Sequence, residues 1–259
     1  MATVEPTNTV GSILRTRGVG RRFGGVQAVR DVTIDVAYGE RRAILGPNGA
    51  GKTTMFNLIA GDFPPTSGSV ELFGQDVTAL PSRLRSRSGL ARTYQKSRLF
   101  LGLTVEDNLY LAVVGREGGR LRSFRSPARD EEIRQRARVM AEQVWLGHAL
   151  HRHVGSLSHG EQRQLELGMA LISRPQLVML DEPASGLSRG ERGQLTSLLQ
   201  TLDPAVTVIL IEHDMDVALN VAQKVTMMHD GAVIVEGTPA EIRANETVHA
   251  LYLGKGNYE

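Results

Sequence analysis

The run Gly46-Pro47-Asn48-Gly49-Ala50-Gly51-Lys52-Thr53 has the spacing G-x-x-x-x-G-K-[ST], and Thr54 follows it. These residue types suit the binding of a triphosphate. Glycines let the backbone turn tightly, so that successive N–H groups point at phosphate oxygens. A helix beginning near Lys52 adds the positive end of its dipole. The Lys52 ammonium then reaches the β- and γ-phosphates, and the Thr53 hydroxyl is a ligand for Mg²⁺. The plainer reading is a glycine-rich turn between a strand and a helix. The flanks, AILG before and an apolar helix after, are those the phosphate-binding chemistry requires.

Leu177-Val178-Met179-Leu180-Asp181-Glu182-Pro183 places a pair of carboxylates at the end of an apolar strand. In such a site Asp181 helps to hold Mg²⁺, and Glu182 polarises an attacking water as general base. Taken alone, the pair could equally be solvated in a turn before Pro183. Upstream, Ser158-x-x-Glu161 is a capping box opening the helical run QRQLELGMAL. A capped helix start also presents a hydroxyl and free backbone N–H groups to an anion.

The elements that must position these residues follow a simple order. Residues 1–12 read as a flexible tail. Strands are expected over Ile13–Val19, Val32–Val36 (strict alternation in VTIDV) and Arg41–Leu45. A helix from about Lys52 to Ala60 follows, then a strand Ser69–Phe73 and a turn Gly74-Gln75-Asp76. From about Pro81 to Ser173 the periodicity is helical, with no convincing strand, and Arg116–Pro127 reads as a loop. After Pro175 come strand Leu177–Leu180, helix Gly190–Leu202, strand Val206–Ile211, helix Met215–Ala222, and strands Val225–His229 and Ala232–Glu236. Strands alternating with helices on both sides of a helical insert give an α/β core carrying a helical lobe.

Composition narrows the compartment and the partners. The chain has 259 residues, 41% hydrophobic and 22% charged, and no cysteine, which excludes disulfides and thiolate metal sites. Its start is no signal peptide, and apolar runs such as Val206–Ile211 are far too short to span a bilayer. A cytoplasmic protein is the expectation. A net charge of +2 gives no general case for nucleic acid. Arg83, Arg85, Arg87, Arg92, Lys96 and Arg98 nevertheless fall in a stretch without acids, either a solvated face or a partner contact. His148, His151 and His153 have irregular spacing and favour no metal.

A phosphate loop with an acidic strand is common to kinases, GTPases and many ATPases. Leu157-Ser158-His159-Gly160-Glu161-Gln162 resembles the LSGGQ signature of ABC ATPases and precedes the acidic strand as in that family. The resemblance extends from about Leu14 to Gly254. It implies a P-loop NTPase (RecA-like) α/β core with an antiparallel β subdomain and an inserted α-helical subdomain. All would lie in a single ABC ATPase domain over 13–259: core about 13–90 and 174–240, helical subdomain about 95–173, C-terminal segment 241–259. ATP and Mg²⁺ are the implied ligands. Gln95 resembles the glutamine that senses Mg²⁺ and the attacking water, and His213 the switch histidine at the γ-phosphate. Phe23 resembles the adenine-stacking aromatic, with Val29 beside it. Catalysis is thereby assigned to Glu182, His213 and Gln95, and metal ligation to Thr53, Gln95 and Asp181. Nucleotide contacts fall to Asn48, Gly49, Ala50, Gly51, Lys52, Thr53 and Thr54. Ser158, Gly160 and Glu161 would act on ATP held by a second subunit in a head-to-tail dimer, and Ala184–Ser188 resembles the dimer-contact loop. Departures from the pattern are His159, Glu161 in place of Gln, and Ser188 where many members carry Asp.

RTYQKSRLF, the Arg-rich insert, IEHDMDVAL, EGTPAEI and LYLG look like the larger ATP-binding subunit of branched-chain amino acid importers, whose near relatives handle urea and short amides. That implies integral-membrane permease partners, a second ATP-binding subunit (the same or a homologous chain) and an extracytoplasmic solute-binding protein acting through the permease. The chain would then sit peripherally on the inner face of the cell membrane, with no nucleic acid. The alternative is a soluble ABC ATPase in a nucleic-acid or assembly role. Such proteins acting on nucleic acid usually carry a second ABC domain or a coiled-coil insertion, and this chain has neither.

Overall fold

The structure, a computed structural model, describes residues 11–93, 99–116 and 126–253. Its centre is a six-stranded sheet in the order β10-β9-β3-β8-β7-β6. The strands β3 (Arg41–Leu45), β7 (Leu177–Asp181) and β8 (Thr207–Ile211) are short, and β7 and β8, apolar apart from Asp181 and Thr207, are buried at every position. They read as continuous hydrophobic runs because both faces of a parallel sheet are covered. Alternate residues serve different layers. Leu177 and Met179 join the core beneath α1 (Lys52–Ala60) and the antiparallel sheet. Val178 and Leu180 join the core of the helical lobe.

A four-stranded antiparallel sheet in the order β2-β1-β4-β5 lies against this core. Its long pair, β1 (Ser12–Phe23) and β2 (Val26–Ala37), extends past the expected Ile13–Val19 and Val32–Val36 through several register shifts. Such shifts break the period-2 pattern by which a strand is read from sequence. β4 (Ser67–Leu72) is followed by β5 (Gln75–Asp76). The expected turn at Gly74–Asp76 therefore sits one residue earlier, at Phe73–Gly74, where both residues have positive φ.

The middle of the chain folds as α2 (Ser82–Arg87), β6 (Leu90–Arg92), α3 (Val105–Arg116), α4 (Pro127–Gln143) and α5 (His159–Leu171). The strand β6 corrects the expectation of an all-helical middle. Three residues are too few to show periodicity, and β6 exists because β7 offers it a parallel partner. The basic stretch needs correcting too. Arg85 is fully buried and donates to the carbonyls of Leu58, Ile59, Thr78 and Leu80, closing the C-terminal end of α1. Burial pulls its guanidinium down to a pKa of about 10.

Beyond β7 come α6 (Arg189–Gln200), β8, α7 (Met215–Val221), β9 (Lys224–His229) and β10 (Ala232–Gly237), then α8 (Pro239–Ala244) and α9 (Glu246–Leu253). Ile242 of α8 and Val248 of α9 are buried with Val225 and Met227 of β9. Among the described residues no helix is long and apolar enough to cross a membrane.

Candidate functional site

The phosphate loop joins β3 to α1 and is fastened from outside. Gly46 and Gly51 have φ of 154° and 94°. A Cβ on Gly46 would lie 2.2 Å from the Met228 carbonyl oxygen, and one on Gly51 would lie 2.4 Å from that of Ala28. Glycine is required at both positions by conformation and by space. Gly231, in the turn between β9 and β10, donates to Ala50 and accepts from Arg30. That hairpin turn clamps the loop to β2, a tertiary contact that no local pattern announces.

Within the loop, Lys52 Nζ donates to the carbonyls of Gly46 (2.6 Å) and Pro47 (3.1 Å). Burial lowers the pKa of this ammonium, and Glu182 and Asp181 partly restore it. Asn48, Gly49 and Thr53 are exposed, Thr54 is half-buried and Ala50 is buried. The loop thus offers a cation, backbone amides and a hydroxyl around a surface open to solvent, a fit to a polyphosphate.

Asp181 ends β7 and is 5% exposed. Its amide donates to Thr93 Oγ1, which holds the ends of β6 and β7 together. Burial raises the Asp181 carboxyl above its ordinary range and Glu182 raises it further, while Arg92 and Lys52 offset part of this. A buried acid beside a second acid is stabilised by a bound cation. The Asp181 carboxylate and the Thr53 hydroxyl are hard oxygen donors of the kind Mg²⁺ takes.

Glu182 follows in the left-handed region, with φ 47°. Its amide donates to the Ile211 carbonyl, which ties this turn to the end of β8. His213, just beyond β8, brings Nδ1 to 3.9 Å from Glu182 Oε2. Between them is a residue the sequence did not single out. Glu212 is fully buried, and burial raises its carboxyl. It accepts from the amide of Ala184 at 2.8 Å and from that of His213 at 3.3 Å. The signal was present in the strand ending ILIEH, where a charged residue continues an apolar run.

Ser158 caps α5, accepting from Glu161 N, while Ser158 N donates to Glu161 Oε2. Glu161 Oε1 also meets Arg152 and His148, each at 3.2 Å. The other two histidines of that cluster turn elsewhere, His151 towards Glu106 and His153 to the Gly102 carbonyl. Gly160 N donates to Glu191 of α6. Among the described residues, the hydrogen bonds given for Ser158, Gly160 and Glu161 are with one another, Gln162, α6 and the 148–152 turn, not with the phosphate loop. The structure therefore gathers Lys52, Asp181, Glu182 and His213 at one place and sets the α5 cap apart.

Phe23 is exposed at the end of β1, edge-on to Phe63 with centroids 5.4 Å apart, and the Arg21 guanidinium lies 4.7 Å from its ring centre. Val29 corrects an expectation. It is wholly buried in the core and has no surface to offer a base. The exposed aliphatic paired with Phe23 is Val26, because the inward alternation of β2 begins only at Val29. Gln95 lies outside the described residues.

The chain matches known proteins along nearly all of its length. Residues 29–185 match the family described as ABC transporter, and residues 232–257 match the branched-chain amino acid ATP-binding cassette transporter family. It is 37% identical to the high-affinity branched-chain amino acid transport ATP-binding protein BraF of Pseudomonas aeruginosa, covering 94% of this chain and 98% of that one. Identity to LivG of Escherichia coli, of the same description, is 35% with the same coverage. The lipopolysaccharide export ATP-binding protein LptB of E. coli is 31% identical over 93% of this chain and 97% of its own length. The ADP conformation of MJ1267, an ATP-binding cassette of an ABC transporter, superposes with a TM-score of 0.82 at 28% identity, covering 94% of this chain and 99% of that one. The chain belongs to the ATP-binding subunits of ABC transporters.

Proposed function

We propose that this chain hydrolyses ATP to drive a separate permease that imports branched-chain amino acids or a similar small polar solute. The observation that carries the hydrolytic part is the meeting of Lys52, Asp181, Glu182 and His213 at the ends of β3, β7 and β8. On this reading Lys52 leaves the carbonyls of Gly46 and Pro47 for the β- and γ-phosphates, exchanging neutral acceptors for anionic ones. Thr53 and Asp181 would hold Mg²⁺, which when bound neutralises charge on the phosphate oxygens. Glu182 accepts a proton from the water that attacks the γ-phosphorus as the bond to the bridging oxygen breaks and ADP departs. His213, beside Glu182 and resting on buried Glu212, fixes the position of that water and of the γ-phosphate. Phe23 stacks on the base.

The substrate side rests on likeness. The match at 232–257 and the relatives BraF and LivG favour amino-acid import over the export system in which LptB takes part. The permease contact falls at a cavity of about 640 Å³ between α2, β6, α3 and α5, lined by Arg83, Arg87 and Arg116 above Ala91, Ala112 and Ala170. Among the described residues no carboxylate lines it, and burial lowers the pKa of Arg116 without an acid to offset it. An acidic cytoplasmic segment of a permease complements such a groove. A second ATP-binding subunit completes the machine by setting its α5 cap on this chain's phosphate loop, and a solute-binding protein delivers solute to the permease from the other side.

The test is uptake of radiolabelled leucine, isoleucine and valine by cells whose only copy of the gene carries Lys52→Ala. Loss of uptake of at least one of them supports the reading. Undiminished uptake of all three, with loss for another solute, reassigns the substrate.

A further inference from the structure

We propose that Glu191 is a positioning residue whose carboxylate holds the place of a phosphate at the first turn of α5 until nucleotide displaces it. The inference rests on the reading that Ser158 and Gly160 donate to ATP bound by a second subunit. Gly160 N lies 2.9 Å from Glu191 Oε1. Glu191 Oε2 accepts from Ser188 N at 3.0 Å and from Ser188 Oγ at 2.8 Å. One carboxylate therefore bridges the caps of α5 and α6. These donors pull the Glu191 carboxyl down to about 2, so it is ionised under all working conditions.

The fit is close. A Cβ on Gly160 would lie 2.8 Å from both Cγ and Oε1 of Glu191, so the absence of a side chain at 160 is what admits the carboxylate. The group occupying the Gly160 amide is thus an anion with oxygen acceptors at the positive end of a helix, the same chemistry as a phosphate oxygen. A γ-phosphate and a carboxylate cannot share that amide, because like charges at contact distance repel. Arrival of ATP on the facing subunit must release Glu191 from α5. Its bonds to Ser188 keep it on α6, directly after the loop Ala184–Ser188. Glu191 thereby makes occupation of the α5 cap and the setting of α6 mutually dependent, and the cost of releasing it raises the ATP concentration that closure requires.

Glu161 has a different part. Its carboxylate is turned back onto Ser158 N and neutralised by Arg152, with His148 beside it, within its own lobe.

The experiment uses the Glu182→Gln protein, with dimer formation followed by light scattering as ATP is titrated. Glu191→Gln keeps the shape and an acceptor for Ser188 while removing the charge. It should lower the ATP concentration for half-maximal dimer by about fivefold or more, because a charge-assisted competitor becomes a neutral one. Fluorescent-nucleotide affinity of the monomer should not move, since Glu191 competes only for the facing subunit's nucleotide. Glu191→Ala, if it lowers thermal stability through loss of the α6 cap, should still shift dimerisation in the same direction. An unchanged or higher ATP requirement in Glu191→Gln shows a plain structural strut and overturns the proposal. If Glu182→Gln forms no dimer with ATP at all, the reading in which the facing subunit is a second copy of this chain fails, and the proposal falls with it.

Discussion

The amide of Ala184 donates to the buried carboxylate of Glu212 at 2.8 Å, fastening the loop after β7 to the end of β8. The same carboxylate takes the amide of His213. Glu212 therefore helps to set the relation between Glu182 and His213, which follow the different strands β7 and β8. Glu212→Ala strips buried amides of their acceptor, and each such loss costs about 1–3 kcal/mol. The expected outcome is a loss of stability of that order in urea unfolding. ATPase kcat should fall about tenfold or more, with nucleotide affinity retained. Unaltered kcat would remove Glu212 from this positioning role.

Asp181 carries a signed pH prediction. Its folded pKa is raised by burial and by Glu182. A raised carboxyl contributes stability that is present below the unfolded pKa and is lost as pH rises through the folded pKa. Asp181→Asn removes that loss. The nucleotide-free variant should melt above wild type at pH 8, with the gap closing as pH falls towards 4, and its Mg²⁺-dependent hydrolysis should be lost. Equal melting temperatures across this range would show that the acid carries no such penalty.

The guanidinium of Arg85 is a buried cation that closes the end of α1 and holds α2 against it. Arg85→Met leaves several carbonyls without donors and should cost about 3 kcal/mol or more in chemical unfolding. By contrast, Arg83→Glu with Arg87→Glu, both on the cavity rim, should leave stability and monomeric nucleotide binding as they are. Co-purification with the permease from native membranes should be lost. Retained co-purification would place the permease contact elsewhere.

How much of this was legible in the sequence follows from the range of the interactions. The phosphate loop, β7 and the capped start of α5 are written in contiguous residues, and helix α1 falls at the expected Lys52–Ala60. The three-residue β6 and the bulged ends of β1 and β2 are decided by neighbouring strands rather than by their own pattern. The family resemblance sets Val29 beside Phe23, whereas strand alternation turns it inward. Glu212, Glu191 and Gly231 act on groups that lie 28, 31 and 181 residues away along the chain, respectively. The apolar run before Glu212 and the Ser188-x-x-Glu191 cap mark the two acids locally, but their distant partners appear only once the fold brings them together.

On the proposed function, Glu182 is the general base of an ATP-hydrolysing site. The most direct measurement is steady-state ATP hydrolysis by Glu182→Gln, set beside nucleotide binding by the same protein. Gln keeps the size and polarity of the side chain but cannot accept the proton. Turnover should fall by about 10²–10⁴-fold, with fluorescent-nucleotide affinity within about twofold of wild type, since Lys52 and the loop amides are intact. Hydrolysis at the wild-type rate in Glu182→Gln would show that Glu182 is not the general base.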